Sequence, residues 1–553
     1  MYVHSRLLGG AAVLALVGEA CANVSSSSPT SAPVVKLDNG TFTGRTSDNV
    51  NEFLGIPFAL PPIGDLRFRL PVPHAPYTGT YNATAYGFAC PQQDSNTSFP
   101  ALPPATMAAL GGIDLGLTTP ENEDCLTVNV IAPANASSKG PLPVLVYIYG
   151  GAFEIGATAA HAFNGSVLVN SSIALGEPIV FVSMNYRLNA FGFLASQEVK
   201  DAGVGNLGLQ DQREALRWVQ KYIHAFGGDP SRVTIYGISA GSISVALQMM
   251  TNGGNTEGLF HAGFMESGTA IPVGDISHGQ HYYDALVNGT GCSGSQDTLE
   301  CLRHVPYDQL KPLVDQTPSY ASYLSANLVW LPRVDGVFLK DTPTNLVSQG
   351  SVAAIPMING DADDEGTFFC LFSTNITTDE ETRDYLQQNY FPSATEDEIN
   401  QLLESYPSDP AQGSPFDTGD ANAFTPQFKR LSAFTGDFTF QAQRRSFLQQ
   451  RSGKQPIWSY LSKRNKQIPV LGSFHTSEVG SIWGPGDMTG YFIRFVAHGD
   501  PNGGTDLHWP DYTAASPQLL TLWDGPVAFN VTQDTYRASA FQYLDYLSSK
   551  YPL

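Results

Sequence analysis

The chain is poor in positive charge. Its 553 residues carry 29 Lys and Arg against 51 Asp and Glu, a net charge of −22 at pH 7. That balance opposes binding to nucleic acid or anionic membranes and favours solubility. Long apolar runs are missing too: past the first residues no stretch could span a bilayer. Internal repeats, long linkers and charge blocks are absent, so one large α/β domain with insertions fits the length better than a string of small domains. Cysteine is scarce, with six in all.

What is there begins with a processed N-terminus. His4 and Arg6 precede the apolar run Leu7–Val17, and Ala20-Cys21-Ala22 supplies an A-x-A cleavage site. Residues 1–22 therefore read as a secretory signal peptide, the run being too short for a transmembrane anchor. Ser25–Pro33 is a Ser/Pro-rich lead-in, and the end, Tyr551-Pro552-Leu553, carries neither a retention signal nor a lipid-anchor tail. The expectation is an extracellular protein whose mature chain, 23–553, is a single domain without a stable membrane anchor. Ten N-x-S/T sequons, from Asn23 to Asn530, agree with secretion. Once Cys21 leaves with the signal, five cysteines remain and at least one is unpaired within the monomer. Cys90/Cys125 and Cys292/Cys301 are the natural local pairs, leaving Cys370.

The stretch Arg232–Gly241 organises the rest. Val233–Tyr236 is short, apolar and β-branched, a buried strand. It runs into Gly237-Ile238-Ser239-Ala240-Gly241, and apolar residues then recur as in a buried helix. Strand, tight turn and helix around G-x-S-x-G form a nucleophile elbow, which presents the Ser239 hydroxyl at the carboxyl end of a sheet. Val144–Tyr149, Ile179–Met184, Ala262–Met265, Ile355–Ile358 and Ile457–Leu461 read as further strands, with a helix around Gln210–His224. That alternation predicts a doubly wound sheet. Val34-Val35, Phe42 and Phe53–Ile56 read as a small antiparallel region. Helical runs occupy much of 379–450, while 275–350 shows no clear pattern.

A serine nucleophile needs a base, a carboxylate to orient the base, and donors for the oxyanion. In the order that accompanies this elbow, the acid and the histidine follow the serine. The strand at Ile355–Ile358 leads into Asn359–Thr367, where Asp361, Asp363, Asp364 and Glu365 crowd together; position alone does not choose among them. His475, His498 and His508 follow that loop. His475, in a loop soon after a strand, is favoured, and the other two read as structural. For the oxyanion, Gly150-Gly151 ends the strand Val144–Tyr149 and resembles a donor loop, with the Ala240 N–H beside it.

On these stretches the chain resembles the type-B carboxylesterase/lipase family of cholinesterases, sterol esterases and secreted fungal lipases. The resemblance rests on Phe53–Phe68, Glu123–Asn129, Tyr149–Phe153, Asn185-Tyr186-Arg187, Asn206–Val219, Phe226–Gly241 and Glu266-Ser267-Gly268. Gly360–Thr367, Phe474-His475, Gly499–Gly503 and Trp509-Pro510 extend it over nearly the whole mature chain. It implies an α/β-hydrolase fold: a large doubly wound mixed sheet with helical insertions and a disulfide-bounded lid loop. It implies Ser239 as nucleophile, Glu365 as acid, His475 as base, and Gly150, Gly151 and Ala240 as the oxyanion hole. It supports the Cys90–Cys125 and Cys292–Cys301 bridges, an Arg67–Glu123 ion pair, and a lid between Cys90 and Cys125. Within that loop Phe99–Leu117 is apolar, but its Pro and Gly content argues against one long amphipathic helix.

Three positions depart from the family pattern. Ile238 stands where Glu usually precedes the nucleophile, Ala152 where a third Gly is common, and Tyr149 where many members have His. The expected activity is hydrolysis of uncharged, fairly apolar esters, small or lipid, through an acyl-enzyme, with no metal or organic cofactor and no nucleic-acid partner. A triacylglycerol lipase or sterol esterase is the nearest alternative, and an inactive adhesion protein on the same fold a remote one. The natural ester and the oligomeric state are not legible.

Overall fold

Six strands that are buried from end to end, three on each side of a longer strand that carries Ser239 at its end, make the centre of the large sheet. The computed structural model describes residues 32–553 apart from 95–98, 113–115, 117, 139 and 161–162. The expected signal peptide, Asn23 and Asn96 lie outside the described residues. Residues 33–553 form one compact unit.

The strands in chain order are β1 (Val34–Leu37), β2 (Asn39–Thr43), β3 (Arg45–Ser47), β4 (Val50–Pro57), β5 (Thr78–Asn82), β6 (Thr127–Pro133), β7 (Leu142–Ile148) and β8 (Val180–Met184). They continue with β9 (Gly228–Ile238), β10 (Ala262–Glu266), β11 (Met357–Ala362), β12 (Ile457–Ser462), β13 (Gln518–Leu522) and β14 (Phe529–Gln533). An eleven-stranded sheet has the order β14-β13-β12-β11-β10-β9-β7-β8-β6-β4-β3. From β13 to β8 all neighbours are parallel, while β14, β6, β4 and β3 are added antiparallel at the two edges. Strands β6, β7, β8, β10, β11 and β12 are buried at every residue, as strands of a sheet covered on both faces are.

Two expectations need correction. The region near the N-terminus is not one small antiparallel unit: β1 pairs antiparallel with β2, β2 pairs parallel with β5, and Phe53–Ile56 belongs to the large sheet through β4. The strand expected at Ile355–Ile358 runs instead over Met357–Ala362. It continues through three polar or small residues because each has a lateral partner: Asn359 donates to the Met265 and Gly268 carbonyls, Gly360 lies against the Tyr460 ring, and Asp361 pairs with Arg444 at 2.9 Å.

The chain turns back on itself between β7 and β9: β8 lies on one side of β7 and β9 on the other. Such a switch opens a crevice at the carboxyl ends of the strands, the usual place for a ligand in an open α/β sheet. Helices from 379 to 451, with the last helix Ala538–Lys550, form a second apolar cluster around Phe391, Phe434 and Phe438. The cysteine-bounded loop leans on this cluster. Its described part holds one short helix, Pro104–Gly111. Leu110 is buried in the cluster, Phe99 and Leu102 pack against it, and Thr106 donates to the Pro469 carbonyl at 2.7 Å. Met107 remains 44% exposed. Ile113, Asp114, Leu115 and Leu117 lie outside the described residues.

Cys90–Cys125 and Cys292–Cys301 are bridged, and Cys370 is free and buried, its thiol pushed up to about 11 by burial. Alkylation of the unreduced protein should therefore spare Cys370 when native and label it when denatured, with the four bridged cysteines unlabelled in both. Peptide mapping checks this, and a disulfide-linked Cys370 peptide would contradict the pairing. Arg67 and Glu123 form the expected ion pair, bidentate at 2.6 and 2.7 Å and buried beside the first bridge.

Candidate active site

Ser239 stands at the end of β9, where the chain turns at once into the helix Ala240–Met250. Its φ is +57° and its ψ −122°, a region a non-glycine residue occupies only under constraint, at a cost of about 1–3 kcal/mol. The constraint is close packing. A Cβ on Gly237 would lie 2.1 Å from the Gly241 carbonyl oxygen, and one on Gly241 would lie 2.0 Å from that of Ile148. Only glycine allows β9, the helix and β7 to meet so tightly. The turn is pinned by hydrogen bonds from the Ser239 N–H to the Glu266 carbonyl (2.9 Å) and from the Ile243 N–H to the Ser239 carbonyl (2.9 Å).

Of the four carboxylates at and just past the end of β11, one faces the histidine. His475 Nδ1 lies 2.5 Å from Glu365 Oε2, and His475 Nε2 lies 2.8 Å from Ser239 Oγ. The other three serve the scaffold. Asp361 pairs with buried Arg444. Asp363 pairs with Lys466 at 2.6 Å. Asp364 accepts from Lys466, from Ser414 and from the Phe416 and Ser473 N–H groups. Asp364 also explains how Glu365 and His475 meet: its N–H donates to the Ser473 carbonyl at 2.9 Å, zipping the loop of Glu365 to the loop of His475. The two histidines read as structural lie elsewhere. His498 is exposed beside Glu177, and His508 is exposed.

Burial pushes both partners of the short contact toward their neutral forms, Glu365 upward and His475 down to about 4. The carboxylate is favoured by the Ala362 N–H, which donates to Glu365 Oε1 at 2.7 Å. For His475 burial is the largest influence, with Glu478 and Asp361 acting more weakly against it. The imidazole thus rests neutral with Nε2 turned to the serine. Phe369 and Phe440 flank the ring at 5.1 and 4.8 Å between centroids and fix its plane.

The turn after β7 runs alongside. Gly151 has φ +108°, and a Cβ there would meet the Ile155 carbonyl oxygen at 2.2 Å. Tyr149 stacks on Tyr186 at 4.4 Å and donates to its carbonyl, while the Tyr186 hydroxyl donates back to the Tyr149 carbonyl. Gly150, Gly151 and Ala240 all border the serine, Ala240 as the first residue of the following helix. Ala152, not assigned from sequence, lines the site with them and also has positive φ, +58°.

Ser239 and His475 open into a cavity lined by Tyr149, Ile155, Ala157, Ala160, Phe163, Ile238, Tyr320, Phe368 and Phe369 with the glycine turn. Among the described residues its wall contains no Asp, Glu, Lys, Arg or Trp. Ile238 lies in that wall, so the departure from glutamate makes the cavity apolar next to the nucleophile. Sequence gave no signal for Tyr320, Phe368 or Phe369, which come from segments without a motif. Among the described residues no group of three or more His, Cys, Asp or Glu is placed to hold a metal, and no helix is long and apolar enough to cross a membrane.

Comparison with known proteins gives consistent neighbours. Residues 31–543 match the model of the carboxylesterase family. The chain is 41% identical over 531 residues to lipase 2 of Diutina rugosa, covering 93% of this chain and 96% of that one. It is 40% identical over 542 residues to secreted lipase 1 of Botryotinia fuckeliana, covering 93% and 92%. Among solved structures it is similar to EstA of Aspergillus niger, with a TM-score of 0.78 and 29% identity over 94% of this chain and 100% of that one.

Proposed function

The chain belongs to the carboxylesterase family and is a carboxylic-ester hydrolase, and we propose that it cleaves uncharged, fairly apolar esters through an acyl-enzyme on Ser239. The observation that carries this reading is the hydrogen-bonded row Ser239–His475–Glu365 at the wall of a cavity that no Asp, Glu, Lys or Arg lines among the described residues. In this mechanism His475 Nε2 takes the Ser239 proton as Oγ attacks the ester carbonyl. Backbone N–H groups of the turn Gly150–Ala152 and of Ala240 receive the oxyanion, each donor worth about 3–4 kcal/mol in the transition state. Glu365 stabilises the imidazolium, which then protonates the departing alkoxide. Water, deprotonated by His475, attacks the acyl-enzyme and releases the acid and Ser239.

Relatives named secreted lipases and the signal-like N-terminus support export of this protein to the extracellular space. A lipase reading is favoured by the exposed Met107 on the short helix of the cysteine-bounded loop.

The test is discrimination by charge. A cation site would need an aromatic box or a carboxylate by the reacting carbonyl. Among the described residues the wall has Tyr and Phe rings but no Trp, the strongest cation–π partner, and Ile238 rather than a carboxylate stands beside Ser239. The ratio of kcat/KM for butyrylcholine to that for its uncharged isostere 3,3-dimethylbutyl butyrate should stay near or below one. A choline preference above about tenfold, about 1.4 kcal/mol, would contradict the reading.

A further inference from the structure

Glu154 takes no part in the chemistry described above, yet it is fully buried in the turn that follows Gly151. Its side chain reaches away from that turn. Oε2 accepts the Tyr320 N–H at 2.8 Å, while Oε1 meets no protein partner among the described residues. Its main chain is engaged as well: the N–H donates to the Gly151 carbonyl at 3.0 Å, and the carbonyl accepts the Gln93 N–H at 2.8 Å. The Gln93 side chain in turn donates to the Val314 carbonyl at 2.9 Å and to Thr317. Three segments therefore meet at one residue: the turn beside the serine, the chain just past the Cys90 bridge, and the segment 314–320 that brings Tyr320 into the cavity wall. Burial pushes the carboxyl up to about 8, which suits a neutral acid whose carbonyl oxygen accepts the amide.

We propose that Glu154 is a positioning residue for acyl selectivity, its buried carboxyl fastening the Tyr320 wall of the cavity to the turn that borders Ser239. The inference rests on the reading of that cavity as the acyl site. The turn itself has other anchors. The Asn189 N–H donates to the Phe153 carbonyl at 2.7 Å, and Gln92 holds Gly156 from both sides, accepting its N–H at 2.6 Å and donating to its carbonyl at 3.1 Å. Loss of the carboxyl accordingly removes one anchor of the Tyr320 side and leaves these anchors of the turn in place. The Tyr320 ring packs with Phe368 and Phe372 at 6.4 and 6.2 Å, so a displaced Tyr320 disturbs an aromatic wall. An octanoyl chain buries far more surface against such a wall than an acetyl group does, and it bears most of the loss.

The experiment compares kcat/KM for p-nitrophenyl octanoate and acetate in the wild type and in Glu154→Leu, Glu154→Gln and Tyr320→Ala, with melting temperatures alongside. Glu154→Leu removes the acceptor and should lower the octanoate-to-acetate ratio by about tenfold, through KM. Glu154→Gln keeps an acceptor oxygen and should hold the ratio within about twofold of wild type. Tyr320→Ala should lower the ratio as Glu154→Leu does. A wild-type ratio in Glu154→Leu, with a lowered one in Tyr320→Ala, overturns the role of Glu154. A ratio that falls as far in Glu154→Gln as in Glu154→Leu overturns it too. An unchanged ratio in Tyr320→Ala removes the acyl-site reading, and the inference with it. If Glu154→Leu does not fold, hydrogen exchange decides: the Tyr320 amide should be protected in the wild type and in Glu154→Gln, and free exchange there in the wild type contradicts the proposal.

Discussion

Ser239→Ala is expected to lower kcat/KM on a neutral ester by about 10⁴- to 10⁶-fold while leaving the fold intact. The expectation follows from position. The Ser239 hydroxyl touches His475 Nε2 at 2.8 Å and opens into the cavity, whereas its backbone, not its hydroxyl, holds the turn. Removing one oxygen should therefore abolish the acyl-enzyme without loosening the elbow. Ser242, one helical turn along, is the control. Its hydroxyl donates to the Gly268 carbonyl at 2.7 Å and it is fully buried, so Ser242→Ala should affect stability more than turnover. The comparison is steady-state kinetics with thermal unfolding of both variants. Residual turnover above about 1% in Ser239→Ala would place the nucleophile elsewhere.

The second large effect separates the acid from its neighbours. Glu365→Gln should reduce kcat by about 10³- to 10⁴-fold, because a neutral amide no longer stabilises the imidazolium and can hold His475 in the wrong tautomer. Asp364→Asn should do the reverse. It breaks a buried pair with Lys466, a contact whose loss costs up to about 3 kcal/mol, but it leaves the contact between His475 and Glu365 in place. The stability lost in that variant depends on pH through Lys466, whose ammonium is held above its ordinary value by Asp363 and Asp364. That share of stability is present at neutral pH and is lost only as pH rises through the raised value. Activity per folded molecule, with the folded fraction measured by circular dichroism, distinguishes the two variants. Full activity in Glu365→Gln together with an inactive but folded Asp364→Asn would reassign the acid.

Particular residues show what was readable beforehand. The elbow was legible because it is local: a β-branched strand, two glycines and an apolar helix lie in one continuous stretch. The expected order, with a carboxylate and a histidine following Ser239, came from the pattern that accompanies such an elbow. The choice of acid was not. Four carboxylates lie at and just past the end of one strand, and what separates them is lateral: Arg444 claims Asp361, Lys466 claims Asp363 and Asp364, and the bond from Asp364 to Ser473 turns Glu365 toward His475. Only the family resemblance singled out Glu365. The end of β11 was misplaced because an apolar-run criterion stops at Ile358, whereas the strand continues on polar residues whose partners come from other segments.

Elements without a sharp pattern stayed hidden. β13 and β14 at one edge of the sheet, the helices within 275–350 and the closing helix Ala538–Lys550 depend on packing against the rest of the fold. The cavity wall was half readable: Ile238 and the glycine turn lie in motifs, while Tyr320, Phe368 and Phe369 do not. Glu154 had no signal at all, since a glutamate in a loop is ordinarily solvated and only the fold shows it buried.

The most direct measurement is the mass of the protein after reaction with a p-nitrophenyl alkylphosphonate, followed by peptide mapping. One phosphonyl group per chain should be gained as activity is lost, attached to Ser239 and absent in Ser239→Ala. Inactivation without an adduct on Ser239, or an adduct on another residue that tracks the loss of activity, would contradict an acyl-enzyme at this serine.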